Sequence, residues 1–181
     1  MKKEKPSKKD LKGIIWEWVE TIVVALVLAL IIRTFIVQVF YIPSGSMEPT
    51  LGIRDRIIVN KFIYRFREPK REEIIVFKYP AKPGEKRRDF IKRIMGLPRE
   101  TLEIKDGVVF INGSPISENH PMNRDHAYFG PVKIPESHYF VMGDNRPNSA
   151  DSRVWGYLPK GNIVGLAFLR IWPIFKFGPI P

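Results

Sequence analysis

TLEIKDGVVFING, residues 101–113, decides the fold class. Apolar residues alternate with polar ones on both sides of Asp106-Gly107, and that dipeptide between alternating runs is a strong hairpin signal. Asn112-Gly113 marks the next turn. Working outward, the same signature recurs in DRIIVNKF (55–62), EIIVFKYP (73–80), RDFIKRIMG (88–96), HYFVMGD (138–144) and NIVGLAFLRIW (162–172). Each is a short run rich in β-branched and aromatic residues, as strands are. TFIVQVFYIP (34–43) carries no helical stripe and reads the same way. PAKPGEKRR (80–88) and SPISENHPMNRDHAYFGP (114–131) read as loops. Sixteen prolines and thirteen glycines fit many turns rather than a helix bundle. The expectation is a mostly β chain with an antiparallel sheet, in one domain with at most a small appendage.

One segment breaks that pattern. IIWEWVETIVVALVLALII, residues 14–32, has no charge in its last twelve positions. As a helix it spans roughly 28 Å, the thickness of a hydrocarbon core. Trp16 and Trp18 stand where an interfacial aromatic belt would be, Glu17 and Glu20 lie near the same end, and Arg33 closes the other. The first thirteen residues carry six lysines against Glu4 and Asp10, a net +4. By the positive-inside rule this tail is cytoplasmic and residues 34–181 lie outside the cell. A cleaved signal peptide fits less well, because the apolar core exceeds the usual ~7–15 residues and no small-residue cleavage site follows. A buried core helix is the other competing reading. IVGLAFLRIWPIF (163–175) is too short for a second span and is broken by Arg170 and Pro173.

The 181 residues hold no cysteine, which excludes disulfides, thiolate catalysis and Cys-ligated zinc. The net charge is +11, and residues 61–93 hold twelve Lys/Arg against five Asp/Glu. Such a balance attracts nucleic acid or an anionic membrane surface. No basic-aromatic stacking motif accompanies it, so a solvated face near anionic lipid is the better reading.

The three histidines, His120, His126 and His138, match no zinc spacing, and no metal is expected. They read as loop or edge-strand residues. A Ser-His-Asp triad lacks its G-x-S-x-G elbow. IPSGSMEPTL, residues 42–51, is a more telling stretch, with Ser44 and Ser46 around one glycine. A serine hydroxyl needs a base, and without histidine the established option is a neutral lysine. Burial neutralises lysine, so the clue is a lysine inside an apolar stretch. Lys92 in DFIKRIMG shares a strand face with Phe90 and Ile94. On spacing alone it is either that base or a snorkelling surface lysine.

The chain resembles type I signal peptidases, the membrane-bound serine proteases that remove signal peptides from exported proteins. Five features match in order over roughly residues 14–165: the anchor, PSGSMEPTL (43–51), REEIIVFKYP (71–80), DFIKRIMGLP (89–98) and GDNRPNSADSR (143–153). The single anchor is similar to the Gram-positive form, and lysine rather than histidine at position 92 to the bacterial type.

The resemblance implies roles position by position. Ser46 matches the nucleophile and Lys92 the general base that later protonates the leaving amine. Ser44 matches the hydroxyl that, with the Ser46 N–H, forms the oxyanion hole. Ser149 matches the serine that orients the lysine through a hydrogen bond. Asp151 and Arg153 match a supporting ion pair. Phe40, Ile42, Met47, Leu51, Val76, Phe90 and Ile91 match positions lining shallow pockets that select small residues, Ala-x-Ala, before the cut. Ordinary core packing is the other reading of each. The implied domain plan is a cytoplasmic tail (1–13), an anchor (14–32) and an extracytoplasmic peptidase domain (34–181). Within that domain, about 99–138 is a reduced non-catalytic insert. The implied partners are signal peptides of secretory preproteins, the phospholipid membrane and a nearby protein translocation channel, with no nucleic acid and no cofactor.

The family usually has glycine where this chain has Arg54, Glu72 and Arg99. Glycine often permits a positive φ, so these three turns are expected to differ locally. A membrane-tethered binding module explains the anchor and the β domain, but not the co-occurring serine and lysine motifs. A self-cleaving Ser/Lys protease of the repressor type would lack an anchor and carry its own Ala-Gly site, which is absent.

Overall fold

Asp106 and Gly107 adopt φ of 50° and 75°, the left-handed pair that a tight hairpin turn needs. In the computed structural model, residues 8–31, 36–80 and 88–181 are described. Arg33, Thr34, Phe35, the start of the lysine-rich tail and residues 81–87 of the expected 80–88 loop lie outside them. The chain divides into two units, Met1–Val37 and Gln38–Pro181.

In the first unit, α1 (Lys8–Ile31) begins six residues before the expected apolar start, and the expected close at Ile32 lies outside the described residues. Its early start has a simple cause: lysine and leucine are good helix formers, and nothing in KKDLKG before Gly13 breaks the turn pattern. Gly13–Leu30 is apolar apart from Glu17, Glu20 and Thr21, and none of it is buried. A fully exposed apolar helix of this length suits lipid rather than water.

The second unit is mostly β. Its strands are β1 (Val37–Tyr41, whose first residue falls in the other unit), β2 (Arg56–Asn60), β3 (Ile74–Lys78), β4 (Asp89–Gly96), β5 (Thr101–Lys105), β6 (Val108–Ile111), β7 (Ser114–Pro115), β8 (Phe129–Lys133), β9 (His138–Met142), β10 (Leu158–Pro159), β11 (Ile163–Trp172) and β12 (Gly178–Pro179). An eight-stranded sheet runs in the order β1-β2-β11-β3-β4-β9-β10, with β12 against β11, and a smaller sheet in the order β7-β6-β5-β8. Every pair whose register is described is antiparallel.

Each strand run found in the sequence becomes a strand, because its period-2 pattern matches a buried face. In β3, Ile74 and Val76 enter one cluster while Ile75 and Phe77 enter another, as alternation requires. The stretch 114–131 departs from expectation. It contains β7 and the start of β8. Pro131 hides this from a sequence reading, since proline opposes strand formation in a sheet interior. It is tolerated because β8 is an edge strand.

Arg54, Glu72 and Arg99 have φ of 73°, 68° and 70°. The expected local departure is therefore not a change of backbone. The turns keep the left-handed conformation, and non-glycine residues are held in it by their surroundings, at a cost of about 1 kcal/mol each. At Glu72, for example, the N–H donates to the Ile94 carbonyl and the C=O accepts from Arg93.

Candidate active site

Ser46 sits in a single 3-10 turn, Gly45–Met47, just after β1. Met47 and Leu51 are fully buried and pin the turn into the core. The backbone of the turn is held from outside it. The Asn145 N–H donates to the Ser46 carbonyl at 3.1 Å, and Asn145 Nδ2 donates to the Gly45 carbonyl at 2.9 Å. Ser44 precedes the turn in extended conformation, and its hydroxyl makes no capping hydrogen bond. It is exposed, free to turn toward a ligand.

Lys92 lies in the middle of β4, opposite Ile75 of β3. It is 4% exposed. Its Nζ is 2.7 Å from Ser46 Oγ and donates to the Ile91 carbonyl at 2.9 Å. The Phe90 ring stands 5.6 Å away. Burial pulls the amine from 10.5 down to about 8, against Asp151 and Asp144, whose charges raise it. The neutral form of Lys92 is thus more accessible near neutral pH than that of an ordinary lysine.

Ser149 lies beside this pair. A Cβ added to Gly143 would meet Ser149 Oγ at 2.3 Å and the Ser46 carbonyl at 2.4 Å, so Gly143 occupies a gap that only glycine fits. The hydrogen bond to Lys92 expected of Ser149 is not made. Its Oγ is buried without a partner, and the second contact of Nζ goes to the carbonyl of Ile91, its own neighbour in β4. An unpartnered buried hydroxyl costs about 1–3 kcal/mol, and Ser149 keeps an unused donor and acceptor.

Asp151 is fully buried and caps the short α2 (Ser152–Trp155) by accepting from the Arg153 N–H. Its two oxygens also accept from Arg153 Nε and Nη2, both at 2.9 Å, and from the Gly143 N–H at 3.1 Å. The expected ion pair thus also fixes the glycine packed against Ser46.

Of the seven proposed pocket positions, Ile42, Met47, Leu51, Val76 and Ile91 form one buried cluster with Phe40 packed on it. Phe90 stands apart, packed in the cluster of Ile75 and Phe77.

Sequence reading passed over a second layer. Arg93 and Asp144, each 1% exposed in their side chains, form a two-pronged pair at 2.9 and 2.8 Å. Arg146, also buried, donates to the Gly143 carbonyl at 3.1 Å and pairs with Glu118. His120, expected in a loop or on an edge, is 3% exposed in its side chain and lies 3.6 Å from Asp144. Neither ring nitrogen has a hydrogen bond, and burial, helped by Arg93, lowers its pKa. Arg93, Asp144 and Arg146 do fall inside the matched motifs, and that adjacency was the one available signal. Among the described residues, no group of three or more His, Asp or Glu side chains is placed to hold a metal ion.

Comparison with known proteins gives a consistent family. Residues 15–172 match the family described as signal peptidase, peptidase S26. The chain is 45% identical over 169 residues to a signal peptidase I of Leptolyngbya laminosa, covering 91% of this chain and 83% of that protein. It is 46% identical to a probable signal peptidase I-2 of Synechocystis, covering 89% and 76%. It is 37% identical to a signal peptidase I P of Bacillus subtilis subsp. natto, covering 92% and 94%.

Proposed function

Because the chain belongs to the signal peptidase family, peptidase S26, we propose that it cleaves signal peptides from secreted preproteins after small residues, with Ser46 and Lys92 as a catalytic dyad. The protein is a serine peptidase, a hydrolase. The observation that carries the dyad is the 2.7 Å approach of a buried amine to a buried serine hydroxyl.

The geometry supports the following mechanism. Neutral Lys92 takes the proton of Ser46 as Oγ attacks the scissile carbonyl. The oxyanion that forms is met by the Ser46 N–H and the Ser44 hydroxyl. Lys92, now an ammonium, protonates the leaving amine. It then takes a proton from the water that attacks the acyl carbon, and returns that proton to Ser46 Oγ as the ester bond breaks. Ser149 accepts or donates to Nζ once substrate excludes water and draws the amine off the Ile91 carbonyl. Asp151 and Arg153 hold the wall behind Gly143. The preference for alanine before the cut is part of the same reading, with the apolar side chains of Ile42, Met47 and Ile91 as the walls of shallow pockets.

The domain plan proposed with this reading is a cytoplasmic tail, residues 1–13, an anchor at 14–32, and an outer peptidase domain at 34–181 with its insert at about 99–138. Anchoring confines enzyme and preprotein to one plane and raises their effective concentration. Exposed Trp172, Ile174, Phe175 and Phe177 add apolar surface suited to lipid. The translocation channel is the expected neighbour, as the source of emerging preproteins.

The test uses the full chain in detergent and a preprotein with an Ala-x-Ala site. Mass spectrometry of the products should place the cut after the second alanine. Replacing that alanine with leucine should abolish the cut. Cleavage of the leucine substrate at an equal rate would overturn the specificity proposed.

A further inference from the structure

Residues 118–125 read as part of a loop, yet they bury a carboxylate. The Glu118 side chain is 6% exposed and its partner Arg146 1%. A loop that merely joins β7 to β8 has no use for a buried charge, which is costly unless fully paired.

The rest of the segment is tied to the same region. The Asn123 N–H donates to the Asp144 carbonyl at 2.9 Å, and the Arg146 N–H donates back to the Asn123 carbonyl at 3.0 Å. These two bonds flank Asn145, the residue that holds the Ser46 and Gly45 carbonyls. Thr50, four residues past Ser46, donates its hydroxyl to the Pro121 carbonyl at 3.1 Å. Asp125 pairs with Arg153 at 2.7 Å. The segment therefore grips both the loop of Ser46 and the loop of Ser149. Its far end is fixed in turn, because Gly107 of the hairpin packs against the Asp125 carbonyl so closely that a Cβ there would meet it at 2.0 Å.

We propose that residues Glu118–Asp125 are a positioning strap for catalysis, in which Glu118, acting through Arg146, holds the Gly143–Arg146 turn that fixes Ser46 against Lys92. Glu118 touches neither reacting group, so it is a positioning residue. The Arg146 guanidinium uses Nε on the Gly143 carbonyl and its two terminal nitrogens on Glu118. Without the Glu118 charge, a buried guanidinium is left uncompensated and is drawn toward water. Gly143 and Asn145 shift with it. A displacement near 1 Å at a reacting group costs on the order of a hundredfold in rate, while binding of the peptide's remote parts is untouched.

This inference rests on the Ser46–Lys92 reading, and the experiment separates the two. Wild type, Glu118→Gln, Glu118→Asp, Asp125→Asn and the control Asp106→Asn are purified as full chains in detergent. They are assayed on the Ala-x-Ala preprotein well below their melting midpoints. Glu118→Gln should lower kcat about tenfold or more with KM changed less than about twofold. Glu118→Asp, which keeps the charge, should recover part of the loss. Asp106 is exposed and, among the described residues, pairs with exposed His126, so Asp106→Asn should match wild type. A folded Glu118→Gln with wild-type kcat, or one whose KM rises as much as kcat falls, overturns the strap. If Glu118→Gln does not fold, Asp125→Asn decides: a kcat loss of about threefold or more at constant KM supports the strap, and wild-type kcat overturns it. A wild type that leaves the preprotein intact overturns the functional reading, and the strap with it.

Discussion

Lys92 Nζ stands 2.7 Å from Ser46 Oγ, a contact made across 46 residues of sequence. β4 carries the lysine into the sheet interior and the 3-10 turn brings the serine to meet it. The amine is dry enough that its pKa falls to about 8.

The rate of acylation should therefore rise with pH. Below pH 8 Lys92 is mostly an ammonium and cannot accept the serine proton. Single-turnover acylation should climb about tenfold per pH unit below that point and level off above it. A rate flat from pH 5 to 9, with the fold intact throughout, would contradict a neutral lysine base.

Lys92 should also cost stability, with a definite sign. Its pKa is lower folded than unfolded. Below about pH 8 both states are protonated and the full penalty, about 3 kcal/mol, applies. Between 8 and 10.5 the unfolded state alone holds the proton and the penalty shrinks, to vanish above 10.5. Lys92→Met should thus be inactive yet melt higher than wild type at pH 7, by roughly 1–3 kcal/mol, with the gap closing toward pH 10. Denaturant midpoints at the two pH values measure this.

Gly143→Ala should be disabled by crowding rather than by loss of a functional group. Its Cβ would meet the Ser46 carbonyl, which is backbone and cannot swing aside. We expect a stability loss of roughly 1–3 kcal/mol and a fall in kcat of about a hundredfold. Wild-type turnover in this variant would show that the Ser46 turn is not held as tightly as the packing indicates.

Arg54→Gly should do the reverse. Arg54 has φ of 73° and an exposed side chain. Glycine relieves the left-handed strain, so the melting free energy should rise by about 0.5 kcal/mol with cleavage unchanged.

The sheet was legible in the sequence because period-2 runs and the Asp106-Gly107 turn are local signals. The Ser46 and Lys92 positions were legible as motifs, but the burial of Lys92 was not, because spacing alone left a snorkelling surface lysine equally open and only the packed sheet encloses the amine. What was not legible depends on distant elements meeting. His120 and Glu118 lie in a stretch with loop composition, and only packing against Asp144 and Arg146 buries them. β8 was hidden because Pro131 is compatible with a strand only at an edge, and edge position is a property of the sheet. The backbone at Arg54, Glu72 and Arg99 was not legible for a similar reason. Local preference favours glycine there, while the surrounding contacts hold the backbone regardless.

The most direct test compares wild type with Ser46→Ala, Lys92→Ala and Lys92→Arg in cleavage of an Ala-x-Ala preprotein. Arginine keeps a charge at position 92 but cannot act as a base. All three variants should lose about a thousandfold or more in kcat while remaining folded. Cleavage by any one of them within about tenfold of wild type would contradict the dyad.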